Sequence, residues 1–290
     1  MKDYTFTNIV DAYTTLLEDI ISCLDFSLEV RGSSILEIPD SVSVTWPNTE
    51  NMKNVFIDEK RKLSLGFLEG ELLWILAGSN KVEDIVPFNK RWADFSDDSA
   101  TLYGAYGYRL KDQLLPLIQK LKSDIYTRQA VVTIYNQNDI SAITKDVPCN
   151  DLLQFKIRKD QSDELKLHVI SYCRSNDIIL GFPYDVFHWQ TIQKLLVNSL
   201  KDTYPGLKVG SHTHVIGSLH LYKRDLDKAL SIVSQSHDDI EKASYCFNVD
   251  LSLEEAIQEA KEIFINKKFN ENTIFKNAKI KSGWNKVTVG

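Results

Sequence analysis

Cys149 stands in the segment KDVPCNDLLQF, and Arg174 and Ser175 open the segment RSNDIILGFPYDVFHWQ one strand later. A cysteine between a proline turn and a strand is ordinarily a small buried hydrophobe. An arginine brought beside it changes its chemistry, because a guanidinium favours the thiolate, the nucleophilic form. The second segment also carries Asn176, Asp177, Asp185 and His188 among apolar turns, more polar groups than a buried strand-to-helix passage usually holds. Asp185 is the sharpest case, since a buried carboxylate is costly without a partner. An N-cap role at the head of the following helix is the plainer reading, Asp being a favoured cap. Glu71 lies inside the apolar run LGFLEGELLWILAG and by itself reads as a solvated helix acid. His220 and Tyr222, two residues apart on an alternating strand, face the same side. His212 and His214 also share a strand face, but no third ligand at metal spacing accompanies them, so they read as structural and no metal site is expected.

These residues need elements to hold them. Residues 4–24 have helical spacing of Ile9, Tyr13, Leu16, Leu17, Ile20 and Ile21. SVSVTW alternates as a strand, LGFLEGELLWILAG is a helix closed by Gly78, and residues 109–124 read as helical. RQAVVTIYN reads as a buried strand. DLLQFKIR and LKLHVISYC are strands joined by the polar turn KDQSDE; DVFHWQTIQKLLVNSL has the period of a helix on a sheet. GSHTHVIGSLHLY alternates, and SLEEAIQEAKEIF is a late helix with the capping box Ser252/Glu255. No repeat or Pro/Gly-rich linker divides the 290 residues, so one mixed α/β domain is expected. Hydrophobic residues at 43% suffice for a core. A net charge of −6 provides no basic field for nucleic acid or an anionic membrane. The opening residues lack the pattern of a signal peptide, no run of 18 apolar residues suggests a membrane span, and four dispersed cysteines fit free thiols in a reducing cytoplasm.

Six segments in order resemble the thymidylate synthase family, and within it the deoxycytidylate hydroxymethylases: VRGSS, GELLWILAG, YTRQAVVTIYN, PCNDLLQF, CRSNDIILGFPYD and GSLHLY. The resemblance runs from about residue 31 to 225, and the segment from about 226 diverges. It implies a large twisted mixed sheet flanked by helices, in a homodimer packed through the sheets with shared active sites. It also implies a pyrimidine nucleotide monophosphate and 5,10-methylenetetrahydrofolate as substrates. Cys149 would add to C6 of the base, and C5 would then attack the one-carbon unit. Arg174 and Ser175 match a phosphate-binding pair, Arg31 a loop arginine, and Arg128 an arginine donated across the dimer. Glu71 matches the carboxylate that organises water and moves protons. His220 and Tyr222 match sugar contacts, with Gln154 and Asn176 also assigned to the nucleotide. Asp177, Trp92, Tyr103 and Gly181 are assigned to the folate.

At the position of Asp185 the synthases have asparagine, whose amide accepts from uracil N3–H and donates to O4. A carboxylate only accepts. It suits the N4 amino group of cytosine and an N3 protonated as the adduct forms, so Asp185 implies a cytidine nucleotide. Asn89 stands where synthases have a tryptophan that shields the intermediate, and a polar residue there favours water, hence hydroxymethyl over methyl. Gln129 replaces a phosphate arginine, Asn150 replaces the histidine after the nucleophile, and the tail SGWNKVTVG does not match the family's folate-capping terminus. Alternatives are a synthase or hydroxymethylase acting on deoxyuridylate, and a non-catalytic nucleotide- or RNA-binding paralogue. Cys149, Glu71 and Arg174 together argue against the last.

Overall fold

The computed structural model describes residues 1–266 except 26, 57, 59 and 243. In chain order the strands are β1 (Lys2–Thr5), β2 (Ser27–Val30), β3 (Ser33–Glu37), β4 (Val42–Trp46), β5 (Val55–Phe56), β6 (Val131–Thr133), β7 (Asn150–Lys159), β8 (Leu165–Cys173), β9 (Asn176–Asp177), β10 (Lys208–Ile216), β11 (Leu219–Tyr222) and β12 (Ser244–Tyr245). The α-helices are α1 (Ile9–Ile21), α2 (Leu65–Ala77), α3 (Val82–Ile85), α4 (Tyr106–Leu110), α5 (Leu114–Ser123), α6 (Phe182–Leu200), α7 (Leu226–Val233), α8 (His237–Lys242) and α9 (Leu253–Asn266). A six-stranded mixed sheet has the order β1-β4-β10-β8-β7-β6, a four-stranded sheet the order β2-β3-β11-β9, and β12 pairs with β5.

The long central strands follow from alternation. Leu153, Phe155 and Ile157 of β7 and Leu167 and Val169 of β8 face one side and are fully buried. They belong to one core with Trp189, Ile192, Leu195 and Leu196 of α6. Fully burying each such side chain contributes about 1.5–3 kcal/mol, which is why α6 lies flat on β8 and β10. A second core gathers α1, β4, α7 and the start of α6 around Tyr13, Trp46, Phe182 and Leu221.

Several boundaries differ from the sequence expectation. The first helix begins at Ile9, capped by the Asn8 side chain, because residues 2–5 pair in parallel with β4 instead. The helical stretch 109–124 is two helices, α4 and α5. RQAVVTIYN contributes a strand of only three residues. GSHTHVIGSLHLY is two strands in two sheets. The capping box of α9 forms as expected: the Ser252 N–H donates to Glu255 Oε2 at 2.8 Å and the Glu255 N–H to Ser252 Oγ at 3.2 Å. No helix among the described residues is long and apolar enough to cross a membrane.

The feature that builds the site is a paired change of sheet. β8 leaves the large sheet at Cys173 and re-pairs as β9, while β10 leaves it at Ile216 and re-pairs as β11. The two chains cross side by side, with the Gly217 N–H donating to Cys173 O at 2.8 Å. A Cβ at Gly217 would lie 2.8 Å from Arg174 O, so the close passage needs glycine. Arg174 and Ser175 occupy the bend.

Candidate active site

Cys149 lies at the entry to β7, half-buried, and Arg174 reaches it from the bend between the sheets. Arg174 Nε donates to Pro148 O at 2.8 Å and Nη2 to Val147 O at 3.0 Å, with Nη2 also 3.7 Å from Cys149 Sγ. The arginine thus clamps the nucleophile loop. The sequence expectation of a stabilised thiolate is met only in sign. Arg174 and Arg31 lower the thiol pKa, but burial dominates and, with the charges of Asp185 and Asp146, moves it up. The resting side chain is a thiol.

Asp185 is in the first turn of α6 and is 8% exposed. It is not the N-cap: Gly181 holds that position, with no side-chain cap bond. The carboxylate instead faces the sheet. Asn150 Nδ2 donates to Oδ1 at 3.0 Å and Asn176 Nδ2 to Oδ2 at 2.9 Å. Burial raises its pKa to about 7 against the lowering effect of both amides. Glu71, on α2, is buried as well rather than solvated. Its carboxyl is pushed well above the usual range, first by burial and then by the charge of Asp185. His188 Nε2 lies 3.8 Å from Glu71 Oε2, and burial lowers the His188 pKa to about 3, so that ring is neutral.

The small sheet carries the other groups. Arg31 and Gly32 form the two-residue turn of the β2–β3 hairpin with φ of 50° and 74°, the left-handed pair that suits such a hairpin. Exposed there, Arg31 still acts on the Cys149 thiol. His220 and Tyr222 do face one side, with ring centroids 5.4 Å apart. His220 is paired with Asp177 of β9 across the sheet. Asp177 Oδ1 accepts from the Ile179 and Leu180 N–H groups at 2.8 and 3.0 Å, shaping the turn into α6. Gly181 supports Asn176: a Cβ there would lie 2.7 Å from Asn176 Oδ1.

Gln154 and Arg128 sit away from this cluster. Gln154 lies on the opposite face of the large sheet from Asn150, beside Val131 and Ile170, because a β-bulge between Asn150 and Leu152 shifts the alternation and turns it away from α6. Arg128 is exposed on the loop before β6 and lines a separate concavity of about 490 Å³ with Lys120, Tyr126 and Gln129. Trp92 packs on Trp74 at 5.6 Å and Phe67 at 6.4 Å, and Tyr103 is 40% exposed beneath the Arg109 guanidinium. Asn89 Oδ1 accepts from the Arg91 N–H at 3.1 Å, capping a 3-10 helix, so that oxygen is already engaged. The tail SGWNKVTVG lies outside the described residues.

Two groups were not assigned a role from sequence. Asn150 was seen only as a departure from the family, yet it orients Asp185; its Oδ1 accepts from Trp189 Nε1 at 3.2 Å. An indole N–H can only donate, so the Asn150 amide nitrogen must face Asp185. Tyr106 of α4 is acted on by Cys149 and Asp185 and hydrogen-bonds Asn150. Cys173, Asp185 and His214 also bring ligand-type atoms within 4.8 Å of one another. All three are engaged: Cys173 donates to Ser175 O, His214 contacts Ser171 and Asn176, and Asp185 holds its two amides.

A thiol, a clamping arginine and two buried acids at the junction of two sheets form one centre, and the thymidylate synthase family model matches residues 40–264, which span it. The chain belongs to the thymidylate synthase family. It is 33% identical over 273 residues to the deoxyuridylate hydroxymethyltransferase of Bacillus phage SP01, covering 87% of this chain and 65% of that protein. It is 32% identical over 205 residues to the deoxyuridylate hydroxymethyltransferase of Pseudomonas phage M6, covering 68% and 55%. The chain therefore spans less than two thirds of the length of these relatives. Among solved structures it resembles thermostable thymidylate synthase A from Bacillus subtilis (TM-score 0.63, 24% identity, 79% of this chain and 85% of that one). It also resembles thymidylate synthase from T4 phage (TM-score 0.68, 19% identity, 93% and 94%). These two likenesses establish the fold: a large mixed sheet flanked by helices.

Proposed function

We propose that this family member transfers a one-carbon unit from 5,10-methylenetetrahydrofolate to C5 of a cytidine nucleotide monophosphate, dCMP, and hydrates it to the 5-hydroxymethyl product. The observation that carries the base assignment is Asp185, a buried acid held in place by Asn150 and Asn176 where the synthases have an amide. As a carboxylate it accepts from the N4 amino group and from an N3 that gains a proton as the adduct forms.

Each role follows from position. Cys149 sulfur adds to C6, and Arg174 both holds its loop and offers charge to the phosphate. Glu71, kept protonated by burial, is suited to give and take protons and to hold the water whose oxygen becomes the hydroxyl. Bound methylenetetrahydrofolate supplies an electrophilic carbon. Asp177, as an acceptor beside Leu180, which is 41% exposed, suits a flat ring that has an apolar face and N–H donors.

A second reading has specific support. Both phage relatives are named for deoxyuridylate. With a pKa of about 7, neutral Asp185 also presents one donor and one acceptor, as an amide does. Mass spectrometry of products formed from dCMP, CMP, dUMP or UMP with methylenetetrahydrofolate separates these readings. A hydroxymethyl product from dCMP is expected. Product from dUMP alone would move the assignment to uridylate, and a methyl product would end the hydroxymethylase reading.

The proposal includes a homodimer. On the face of the large sheet away from α6, the rows Val131–Gln154–Ile170–Thr213 and Thr133–Leu152–Tyr172–Val215 are half-buried to exposed. Their apolar members suit a second copy, and Arg128, apart from Arg174 in its own chain, would reach the neighbouring phosphate site. Arg128→Ala and Cys149→Ser subunits, each inactive alone, should therefore recover partial activity when mixed. A monomer by light scattering would rule this out.

A further inference from the structure

Behind Asp185 runs a buried chain of polar side chains. Asn176 Nδ2 lies 3.0 Å from His214 Nε2, His214 Nδ1 lies 2.6 Å from Ser171 Oγ, and Ser171 Oγ lies 2.8 Å from His212 Nε2. His212 Nδ1 ends the chain 3.4 Å from Gln190 Nε2. Ser171, His212, His214 and Gln190 have no exposure, and Asn176 is 3% exposed. At both ends of the chain an amide oxygen, Asn176 Oδ1 and Gln190 Oε1, has no hydrogen-bond partner.

We propose that Ser171, His212 and His214 are positioning residues that act through Asn176 to hold Asp185 as a hydrogen-bond acceptor for the base. This rests on the reading that Asp185 faces the pyrimidine. Serine has one proton to donate, so the chain has a direction. In one direction His214 Nδ1–H donates to Ser171, Ser171 O–H donates to His212 Nε2, and His212 Nδ1–H donates to Gln190 Oε1 after that amide turns over. His214 Nε2 is then an acceptor and holds the Asn176 amide with its nitrogen toward Asp185. Asn176 Oδ1 and the turned Gln190 Nε2, now in the partnerless position of Oε1, are the amide groups left unpaired.

In the opposite direction His212 Nε2–H donates to Ser171, Ser171 donates to His214 Nδ1, and His214 Nε2–H requires an oxygen from Asn176. Asn176 must then turn its oxygen toward Asp185, which has to carry a proton on Oδ2. Asn176 Nδ2 and Gln190 Oε1 are both left unpaired. Each direction leaves two amide groups unpaired, and the first is favoured because it keeps Asn176 Nδ2 against both Asp185 Oδ2 and His214 Nε2 and needs no proton on Asp185. It needs both rings neutral, and burial lowers the pKa of each, that of His214 to about 3. The Trp189–Asn150 bond already makes Oδ1 an acceptor, so only the Asn176 side is open to choice.

The groups facing Asp185 are Glu71 from α2, Tyr106 from α4, Cys149 and Asn150 at the start of β7, Cys173 from β8, Asn176 from β9 and His214 from β10. Of these, His214 can be changed without touching the nucleophile or either acid. His214→Phe removes the acceptor that holds the Asn176 amide, which frees Asn176 to turn and favours protonated Asp185. Calorimetry of dCMP and dUMP binding to the full chain, from pH 6 to 8.5, reads the effect. The pH midpoint of the dCMP-to-dUMP affinity ratio should rise by about one unit in His214→Phe, and the ratio at the upper pH should fall roughly tenfold. His214→Gln, which restores an acceptor, should return both toward wild type. If His214→Phe does not fold, Ser171→Ala, which interrupts the same chain, should shift the midpoint in the same direction. A folded His214→Phe or Ser171→Ala with wild-type ratio and midpoint would overturn the proposal. If Asp185→Asn itself leaves the ratio unchanged, the premise that Asp185 reads the base fails, and the relay with it.

Discussion

Cys149→Ser should lower turnover by at least ~10³-fold while the fold and nucleotide binding persist. A serine hydroxyl stays protonated where a thiol can ionise, and the surroundings of Cys149 already oppose the anion. Burial and the charges of Asp185 and Asp146 raise the thiol pKa, with Arg174 and Arg31 working against them. Arg174 contacts the sulfur but hydrogen-bonds the carbonyls of Val147 and Pro148, so the loop should keep its shape in the variant. Cys23 and Cys246, also free thiols, should tolerate the same change with little loss. Steady-state rates, calorimetric nucleotide affinity and thermal unfolding of the three variants make the comparison. Substantial turnover by the Cys149 variant would remove covalent catalysis from the proposal.

Asp185→Asn should move base preference from cytidine toward uridine by roughly tenfold to a hundredfold in the ratio of kcat/KM values, a mismatched buried hydrogen bond being worth about 1–3 kcal/mol. The wild-type ratio should itself depend on pH. Below about 7 the neutral acid donates as well as accepts and tolerates uracil; above it the carboxylate meets O4 with like charge, so selectivity for cytosine rises with pH. The asparagine variant should lose that dependence. Stability has its own sign. The folded pKa of Asp185 is raised from 3.8 to about 7, so the native state binds more protons than the unfolded chain in that window. This residue's contribution to stability is full below the unfolded value and declines as pH rises toward 7. Asp185→Asn should therefore cost least stability, or add some, at alkaline pH. Equal loss of both substrates by the variant would show that Asp185 does not read the base.

Much of this was legible in the chain alone. Alternation marked β7 and β8, an apolar run closed by Gly78 marked α2, helical spacing marked α6, and the S-x-x-E pattern at Ser252 marked the start of α9, because such patterns are local. The motifs around Cys149, Arg174 and His220 pointed to the family for the same reason: the chemistry needs those residue types in those short segments. Local signals also misled. Asp185 as an N-cap failed because α6 starts four residues earlier at the Gly181 turn, and Glu71 as a solvated acid failed because α2 is covered on more than one side.

The sequence by itself determined which residues could react and the segments that carry them. Only the tertiary structure decided what surrounds them. A β-bulge between Asn150 and Leu152 put Gln154 on the other sheet face from Asn150, a consequence of pairing register. The paired change of sheet at Cys173 and Ile216 brought Asn176 and, 38 positions further along the chain, His214 behind Asp185. Burial there set the charge states: it raised the thiol and both acids and kept three histidines neutral. Desolvation depends on the packing of distant segments, and no local pattern of residues encodes it.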